Sequence, residues 1–137
     1  MSRENIEKTY IMLKPDSYKR GLMGEIISRI EKKGFQITEM KMMILDDNII
    51  KEHYEHISHK PFFPEILEYM TSGPVLAMIV QGDNVVEGMR KMIGATQWIE
   101  ADTGTIRGDF AHKPGENLIH GSDSVENAEI EIKRFFK

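Results

Sequence analysis

The order in which apolar runs and helical patterns alternate constrains the fold of this chain more than any other feature of its sequence. The alternation is strand, helix, strand, an insertion of two short helices, then strand, helix, strand and a closing helix. This order is typical of the ferredoxin-like fold, in which two split strand–helix–strand units build one antiparallel sheet. The sequence therefore predicts one α+β domain over residues 1–137, with a ferredoxin-like (βαββαβ) four-stranded antiparallel sheet, flanking helices and a long functional loop.

The strands are predicted by three apolar runs, at residues 9–13, 35–45 and 75–80, and by a short apolar run, Leu118-Ile119, that leads into His120. The third run is short and continuously apolar, which is typical of a central strand. Along the second run the inward phase changes from odd to even positions, since Phe35 and Ile37 are followed by Met40 and Met42. One extra residue would reconcile the two phases, so we expect a β-bulge near Glu39 and inward-facing methionines after it.

The helices are predicted by apolar residues at helical spacing and by capping residues. The residues expected at helix starts are Asp46–Asn48, Pro61–Pro64, Asp83–Asn84 and the capping-box pair Asp123 and Glu126, and the glycines expected at helix ends are Gly34 and Gly94. In the last helix the predicted buried stripe consists of Val125, Ala128, Ile132 and Phe135. Glu131 borders that stripe, so its side chain can lean toward the core.

Residues 95–117 have no apolar periodicity. A segment of this length without a helix or strand is uncommon in a compact domain, and it is usually functional or disordered. This one holds Thr96, Trp98, Arg107 and Asn117. We therefore expect a functional loop.

Composition and charge exclude several classes of protein. The 137 residues carry a formal net charge of −4, which disfavours a general nucleic-acid binder, and the absence of cysteine excludes disulfides and zinc–thiolate sites. The polar start is not typical of a secretory signal, and no apolar run is long enough to span a membrane. We expect a cytoplasmic protein without a membrane or a specific nucleic acid as partner.

The usual phosphate-binding glycine motifs do not occur in this sequence. A protein of this kind that handles nucleotides must bind their phosphates through side chains. The candidates are Lys14, Arg90, Thr96, Arg107 and Asn117. Each also has a structural explanation when taken singly, because Arg90, for example, would balance the dipole at the end of its helix.

His120 is the candidate nucleophile or general base. It lies in the stretch Asn-Leu-Ile-His-Gly-Ser-Asp-Ser at 117–124, where an apolar run delivers the histidine and a glycine turns the backbone. An imidazole at the accessible end of a strand suits either role, although a lone histidine in such a position is more often structural than catalytic.

Three more histidines, His53, His56 and His59, recur at intervals of three residues. The spacing would suit a metal site only on a continuous helix, and the residues before Pro61 are typical of a helix end. We expect these histidines to be solvated and predict no metal site formed by the protein. Tyr54, Phe62 and Ile66 can line a groove for a flat ring or pack in the core.

Several motifs occur together and in a fixed order. They are Lys14-Pro15-Asp16, Arg20-Gly21-Leu22, His53-Tyr54, Pro61-Phe62-Phe63, Ser72-Gly73-Pro74-Val75, the run Gly-Thr-Ile-Arg-Gly-Asp-Phe at 104–110 and the stretch at 117–124. In this combination the chain resembles the nucleoside diphosphate kinase family over residues 9–136.

The resemblance implies a ping-pong reaction in which His120 accepts the terminal phosphoryl group of a nucleoside triphosphate and passes it to a nucleoside diphosphate. The residues implied to hold the phosphates and the sugar 3′-hydroxyl are Lys14, Tyr54, Arg90, Thr96, Arg107 and Asn117. Phe62 and Ile66 are implied to contact the base, with broad tolerance of its identity, and Glu131 and Ser122 to support the histidine. Mg²⁺ is expected to arrive on the nucleotide phosphates, and the protein is expected to form a homo-oligomer.

The sequence departs from the family's pattern in two places. Gln97-Trp98 follows the loop threonine where the family usually has Asn-Pro, in a loop that often makes subunit contacts. Pro114 replaces a common valine against the base, so we include it among the expected nucleotide-binding residues.

Two other readings are possible. A catalytically silent ferredoxin-like module could bind a nucleotide or regulatory ligand, but it has no need of His120 together with so many basic residues. An RNA-binding sheet of the same topology needs exposed aromatic residues on its central strands, and residues 75–80 contain none.

Overall fold

The computed structural model describes residues 5–136. In chain order the elements are β1 (Ile6–Leu13), α1 (Pro15–Lys19), α2 (Met23–Lys33), β2 (Gln36–Met43), α3 (Asp47–His53), a 3₁₀ turn (Glu55–Ile57), α4 (Phe63–Met70), β3 (Val75–Asp83), α5 (Val85–Ile93), α6 (Ile106–Phe110), β4 (Ile119–Gly121) and α7 (Val125–Phe135). No helix among the described residues is both long and apolar enough to cross a membrane.

The strands form one four-stranded sheet in the order β2-β3-β1-β4. Every neighbouring pair is antiparallel, and β1 pairs with β3 along its whole length. β4 pairs only with the last residues of β1, where His120 lies opposite Met12. The predicted ferredoxin-like α+β fold is confirmed, and the candidate histidine lies on a short strand beside a central one.

The sheet is covered on both faces. Tyr10 and Met12 of β1 point into a core shared with α3, α4 and α7, whereas Ile11 and Leu13 point into a core shared with α2 and α5. All four side chains are completely buried. Because β1 is packed on both sides, the strand against which β4 pairs is a rigid support.

The helix ends agree only partly with the prediction. Gly34 ends α2 with a φ of 105°, a left-handed conformation that glycine adopts without steric cost, and Asp46 caps α3 as expected. Asn84 occupies the N-cap of α5 but makes no capping bond; Glu7 of β1 instead accepts from the Val86 amide at 3.3 Å. The expected capping of α5 by its own preceding side chains is therefore wrong.

The capping box predicted for α7 is also wrong. Ser124 is the N-cap residue, and its hydroxyl accepts from the Asn127 amide at 3.1 Å. Asp123 instead accepts from the Asn127 side chain at 2.5 Å. Val125, expected in the buried stripe, is 38% exposed, while Ala128 and Phe135 are buried as predicted.

β2 contains the predicted irregularity, as a register shift between Ile37 and Glu39. The expectation that Met40 and Met42 face the core is wrong, because their side chains are 52% and 54% exposed. β2 lies at the edge of the sheet, where apolar side chains can remain accessible.

The segment after Gly94 is less irregular than the sequence suggested. It contains α6, whose first turn is capped by the hydroxyl of Thr105 accepting from the Gly108 amide at 2.9 Å. A side chain at position 108 would collide with the Asp102 carbonyl, since a Cβ there would lie 1.8 Å from its oxygen. Glycine at this position thus permits the tight turn that sets the direction of α6.

Candidate active site

His120, Ser122 and Glu131 meet where β4 ends and α7 begins to cover the sheet. Nε2 of His120 lies 2.9 Å from Oε1 of Glu131, and the Ser122 hydroxyl donates to the same oxygen at 2.6 Å. Ser122 is itself fixed by β1, because its amide donates to the Tyr10 carbonyl at 3.1 Å. The predicted leaning of Glu131 toward the core is observed, and it brings the carboxylate to the histidine.

The hydrogen bonds of Glu131 determine the tautomer of His120. Burial alone would raise the pKa of the Glu131 carboxyl, but the hydrogen bonds from His120 and Ser122 lower it below its usual value. An ionised carboxylate can only accept, so Nε2 of a neutral His120 carries the hydrogen. The lone pair of the imidazole is then on Nδ1.

The turn that leads into β4 is held by the Lys14–Ser17 segment. Leu118 has a φ of 72°, which is uncommon for a residue with a branched side chain. Its carbonyl accepts from the Lys14 amide at 2.8 Å and from the Ser17 hydroxyl at 2.6 Å, and its amide donates to Asp16 at 3.1 Å. Asp16 also accepts from the Tyr69 hydroxyl. These bonds stabilise a conformation that would otherwise cost about 1–3 kcal/mol.

Lys14 is the first basic group beside this turn. Its side chain is only 8% exposed, and Nζ donates to Oδ1 of Asn117 at 2.8 Å. Burial, together with the positive charge of Arg107, lowers the pKa of Lys14 to about 8. A buried amine with this pKa would regain favourable electrostatics when an anion binds next to it.

Arg107 is the second basic group, and α6 presents it to the strand. Its guanidinium donates to three carbonyls, those of Asn117 at 3.2 Å, Gly94 at 3.3 Å and Ile119 at 2.6 Å. Burial and the nearby charge of Arg90 lower the pKa of Arg107 to about 10. Arg107 therefore joins the loop, the turn and β4, and it adds positive charge next to the histidine.

Two clefts open around these groups. The first has a volume of about 410 Å³, and its lining includes Tyr54, Arg90, Thr96 and His120. The second has a volume of about 630 Å³ and is lined mainly by the other predicted residues and loop side chains, including Phe62, Ile66, Thr96, Trp98, Pro114 and Asn117. Thr96 lines both clefts, so they adjoin.

The structure brings the predicted site residues together around these clefts. Lys14 and Arg107 are buried, 8% and 9% exposed. Lys14 donates a hydrogen bond to the Asn117 side chain, and Arg107 donates one to the Ile119 carbonyl. Ser122 is also buried and acts on the cleft through Glu131. The arrangement suits transfer of an anionic group, since a nucleophilic nitrogen and several cations converge.

The expectation that His53 is solvated is wrong. Its ring lies edge-on to that of His120, with centroids 4.8 Å apart and an interplanar angle of 84°. Burial, followed by the charge of His120, lowers the pKa of His53 to about 3. One possible ligand atom from each of His53, His120 and Glu131 lies within 4.8 Å of the others, whereas His56 and His59 are exposed and do not join this cluster.

Sequence reasoning missed contributions from Tyr69 and Arg134, and it placed Trp98 in the functional loop without assigning it to a cleft. Tyr69 supports Asp16 and lines the second cleft, and Arg134 lines the first. Trp98 lines the second cleft and also packs against the core of its own chain. The large aromatic side chain of Trp98, two residues after Thr96, was the local signal for that residue, and Tyr69 and Arg134 had none.

Comparison with known proteins places the chain among kinases of nucleotides. A family model described as nucleoside diphosphate kinase matches residues 7–137. The nucleoside diphosphate kinase of Acetivibrio thermocellus is 54% identical over 131 residues, which cover 96% of this chain and 96% of that protein. The chloroplastic nucleoside diphosphate kinase 2 of Pisum sativum is 54% identical over 136 residues, and the match covers 99% of this chain but 59% of that longer protein.

Solved structures of nucleoside diphosphate kinases are also similar to this chain. The apo nucleoside diphosphate kinase of Encephalitozoon cuniculi has a TM-score of 0.91 and 48% identity, covering 95% of this chain and 88% of that chain. The Halobacterium salinarum nucleoside diphosphate kinase, solved in complex with CDP, has a TM-score of 0.92 and 42% identity, covering 98% of this chain and 89% of that chain.

Proposed function

Since this chain belongs to the nucleoside diphosphate kinase family, we propose that it transfers the terminal phosphoryl group of a nucleoside triphosphate to a nucleoside diphosphate through His120. The observation that carries the proposal is the 2.9 Å contact between Nε2 of His120 and the Glu131 carboxylate, which leaves Nδ1 as the nucleophilic nitrogen. The catalytically silent alternative is not favoured, because relatives at this level of identity are named kinases and match nearly the whole chain.

The transfer proceeds in two balanced steps. In the first, the Nδ1 lone pair of His120 forms a bond to the terminal phosphorus, the bond from phosphorus to the bridging oxygen breaks, and the diphosphate leaves with that electron pair. In the second, a terminal oxygen of another nucleoside diphosphate attacks the phosphorus, and the bond to Nδ1 breaks. Nδ1 regains its lone pair, so the enzyme returns to its starting state.

The charged residues stabilise this transfer by position. Phosphoryl transfer requires little covalent help from a protein beyond the nucleophile, so the protein mainly aligns the groups and neutralises the charge. Lys14, Arg90 and Arg107 supply cations next to β4. Tyr54 and Thr96 supply hydroxyl groups that can hold the phosphates and the sugar 3′-hydroxyl, and the Asn117 amide can do the same once a ligand competes for Lys14.

Mg²⁺ would be held mainly by the phosphates and by water. Glu131 is already engaged by His120 and Ser122, and Asp123, the other carboxylate among the described residues that line the first cleft, accepts from Asn127. When bound, the ion would neutralise phosphate charge and align the phosphates. This donor set fits an ion that arrives with the nucleotide rather than a metal site formed by the protein.

The base would occupy the second cleft. Phe62, which is 48% exposed, and Ile66 and Pro114 offer apolar surfaces for a flat ring. Contacts with the face of a base distinguish its identity weakly compared with hydrogen bonds to its edge. Broad tolerance of the base follows, and Trp98 adds a further surface to the same cleft.

We also propose that the protein is a homo-oligomer in which β2 contributes to the interface. β2 is an edge strand, and the side chains of Met40, Met42 and Ile44 along and after it are 52%, 54% and 72% exposed. Such an edge with accessible apolar residues favours pairing with a second copy. The cytoplasmic location expected from the sequence stays a prediction.

The proposed nucleophile is tested by labelling. The purified protein is incubated with a triphosphate that carries a radioactive terminal phosphate, and the phosphoenzyme is isolated. We expect the wild type to acquire label and to lose it within one turnover when unlabelled nucleoside diphosphate is added. His120→Asn should acquire no label, because no nucleophilic nitrogen remains at that position.

His112→Asn is the matched control, since His112 is an exposed histidine that does not line the first cleft. It should label and discharge as the wild type does. Label that reaches His120→Asn at the wild-type level, or that persists on the wild type through the chase, would contradict the proposal.

A further inference from the structure

His53 and Arg134 make a contact on the wall of the first cleft for which the proposed transfer has no use. Nη1 of Arg134 lies 2.9 Å from Nδ1 of His53. Nε of the same guanidinium donates to Glu52 at 2.9 Å, and the Arg134 side chain is only 14% exposed. Arg134 is therefore anchored by an acidic residue and directed at one nitrogen of one imidazole.

The chemistry of this pair fixes the state of His53. A guanidinium has donors and no acceptor, so Nδ1 of His53 must accept the hydrogen bond. An imidazole that accepts at Nδ1 is neutral and carries its hydrogen on Nε2. Arg134 thus holds His53 in the uncharged state and in one tautomer.

The packing around His53 leaves its ring little freedom. It meets the rings of three residues edge-on: Tyr54 at 4.9 Å, His120 at 4.8 Å and Phe135 at 5.3 Å between centroids. All three interplanar angles lie between 76° and 84°. The state of charge of His53 is therefore set directly beside the reactive ring.

A charged His53 would disturb the pair formed by His120 and Glu131. Possible ligand atoms of the three residues lie within 4.8 Å of one another, so a protonated His53 would be close enough to compete for the carboxylate. A carboxylate drawn to His53 would no longer fix the hydrogen on Nε2 of His120. The nucleophilic lone pair would then be lost from Nδ1 for part of the time.

We propose that Arg134 is a positioning residue that acts through His53: by occupying Nδ1 of His53 it keeps this ring uncharged, and the uncharged ring leaves Glu131 to His120. The inference rests on the proposed function, because it assigns Arg134 a part in preparing the nucleophile. The groups that face His53 are His120 of β4, Glu131 and Arg134 of α7, Lys14 at the end of β1, and Tyr54 after α3.

The electrostatics of these groups agree with the geometry. Burial is the largest cause that lowers the pKa of His53 to about 3, and the positive charges of His120, Arg134 and Lys14 act in the same direction. Glu131 opposes them. Removal of Arg134 takes away one of the cations that lower the pKa of His53, and it also removes the donor that occupies Nδ1.

The first test needs no variant. The wild-type protein labelled with ¹⁵N in its histidines is titrated by NMR between pH 5 and pH 8. We expect the ring nitrogens of His53 to keep the shifts of a neutral imidazole with hydrogen on Nε2 throughout. Titration of His53 within this range, or the opposite tautomer, would overturn the proposal.

The second test uses Arg134→Met, with Lys133→Met as the matched control. Lys133 lies next to Arg134 on α7 and is exposed, so its removal changes the net charge equally without touching His53. In Arg134→Met we expect the pKa of His53 to rise above its wild-type value, because one of the cations that lower it is gone, and its ring nitrogens to lose the shifts of a single tautomer, because the donor to Nδ1 is gone. The single-turnover rate of phosphorylation should then fall more steeply between pH 7.5 and 5.5 than in the wild type or in Lys133→Met.

The double variant Arg134→Met/His53→Gln separates His53 from other causes. It has no imidazole at position 53 to titrate, so its additional acid loss should disappear. Persistence of that loss would show that Arg134 does not act through His53 and would overturn the proposal. A rise in the KM for the triphosphate with an unchanged pH profile in Arg134→Met would do the same, because it would make Arg134 a phosphate ligand.

The kinase reaction and the role of Arg134 can be disproved separately. If wild-type His120 acquires no phosphoryl group, the proposed function fails, whereas the NMR titration of His53 still reports on Arg134. If Arg134→Met does not fold, Glu52→Gln removes the exposed anchor of the guanidinium and should shift the His53 titration in the same direction. An unaltered His53 in every folded variant overturns the inference and leaves the kinase reaction intact.

Discussion

At the scale of single residues, two carboxylates determine the geometry of the reactive histidine. Glu131 binds Nε2 of His120, and Asp16 binds the amide of Leu118 two residues earlier. One fixes the tautomer of the ring and the other fixes the backbone that carries it. Neither has to touch a substrate to matter for the rate.

We expect Lys14 to make the affinity for nucleotide depend on pH. Its pKa in the free protein is about 8, so the amine loses its charge as the pH rises through that value. We expect the dissociation constant of a nucleoside diphosphate, measured by calorimetry between pH 6.5 and 9.5, to rise about tenfold above pH 8, the loss expected for one charged hydrogen bond.

Lys14→Met provides the control for this pH dependence. It should bind the diphosphate weakly at every pH, with a flatter profile, because the titrating amine is absent. A profile as steep as that of the wild type would assign the effect to another group.

Single residues also show where sequence reasoning stops. The stretch at 117–124 identified His120 because the histidine, the glycine and the serines are adjacent in the chain. His53 could not be judged in the same way, since the Arg134 that contacts its ring lies 81 positions away. The histidine spacing in its own segment pointed to solvent, and packing against β4 and α7 reverses that expectation.

At the scale of elements, the shortest ones matter most for the site. β4 has three residues and α1 has five. α1 lies outside the predicted helices, because a helix of five residues is too short to show apolar periodicity. In the structure Pro15 opens the helix, as proline does readily in a first turn, and the helix directs Asp16 and Ser17 at Leu118.

Asp16→Ala tests the role of α1. The substitution leaves the Leu118 amide and the Tyr69 hydroxyl without their acceptor, so we expect the free energy of unfolding to fall by about 1–3 kcal/mol. The single-turnover rate of His120 phosphorylation should fall as well, because the conformation of Leu118 is less well held. Urea unfolding and rapid quench measure the two effects.

Asp102→Ala is the comparison for Asp16→Ala. The Asp102 side chain is exposed, and only its backbone carbonyl contacts the α6 turn. It should leave both measurements close to the wild type. An Asp16→Ala protein as stable and as fast as Asp102→Ala would contradict the role assigned to α1.

Elements were predicted well where their signal is local and poorly where it depends on the sheet. The strands and most helices follow from apolar spacing and from caps such as Asp46 and Gly34. The prediction that Met40 and Met42 face the core was wrong because β2 is an edge strand, and the residues of a strand do not determine its place in the sheet. The predicted cap of α5 was wrong because the side chain that accepts from its first turn, Glu7, comes from β1.

At the scale of the whole molecule, the surroundings of His120 combine β1, β4 and α7 with the long loop, and Tyr54 and Arg90 join them from the middle of the chain. β1 pairs with β4, α7 closes over the sheet, and α6 joins the loop to both through Arg107. The ferredoxin-like order could be predicted from the sequence, but the shared position of Thr96 between two clefts could not, since it depends on how the loop folds back. The amino-acid composition only excluded some kinds of chemistry, such as that of cysteine thiols.

The proposed assembly is tested by substitutions of equal exposure. Met40 and Ile6 are both 52% exposed, but only Met40 lies on the edge strand β2. We expect light scattering coupled to gel filtration to show a wild-type mass of at least two copies. Met40→Lys should reduce that mass, because the lysine places a charge in an apolar contact.

Ile6→Lys should keep the wild-type mass, since it adds the same charge on a different strand. A monomeric wild type, or an equal loss of mass in both variants, would contradict the assignment of the interface to β2.

The nitrogen of His120 that carries the phosphoryl group is the most direct measurement of the central claim. Proton–phosphorus correlation NMR on the trapped phosphoenzyme reports it, because a phosphorus on Nδ1 has only one ring proton, on Cε1, within three bonds. We predict coupling to that single proton, as expected when Glu131 holds the hydrogen on Nε2. Coupling to both ring protons would place the phosphoryl group on Nε2 and contradict the account.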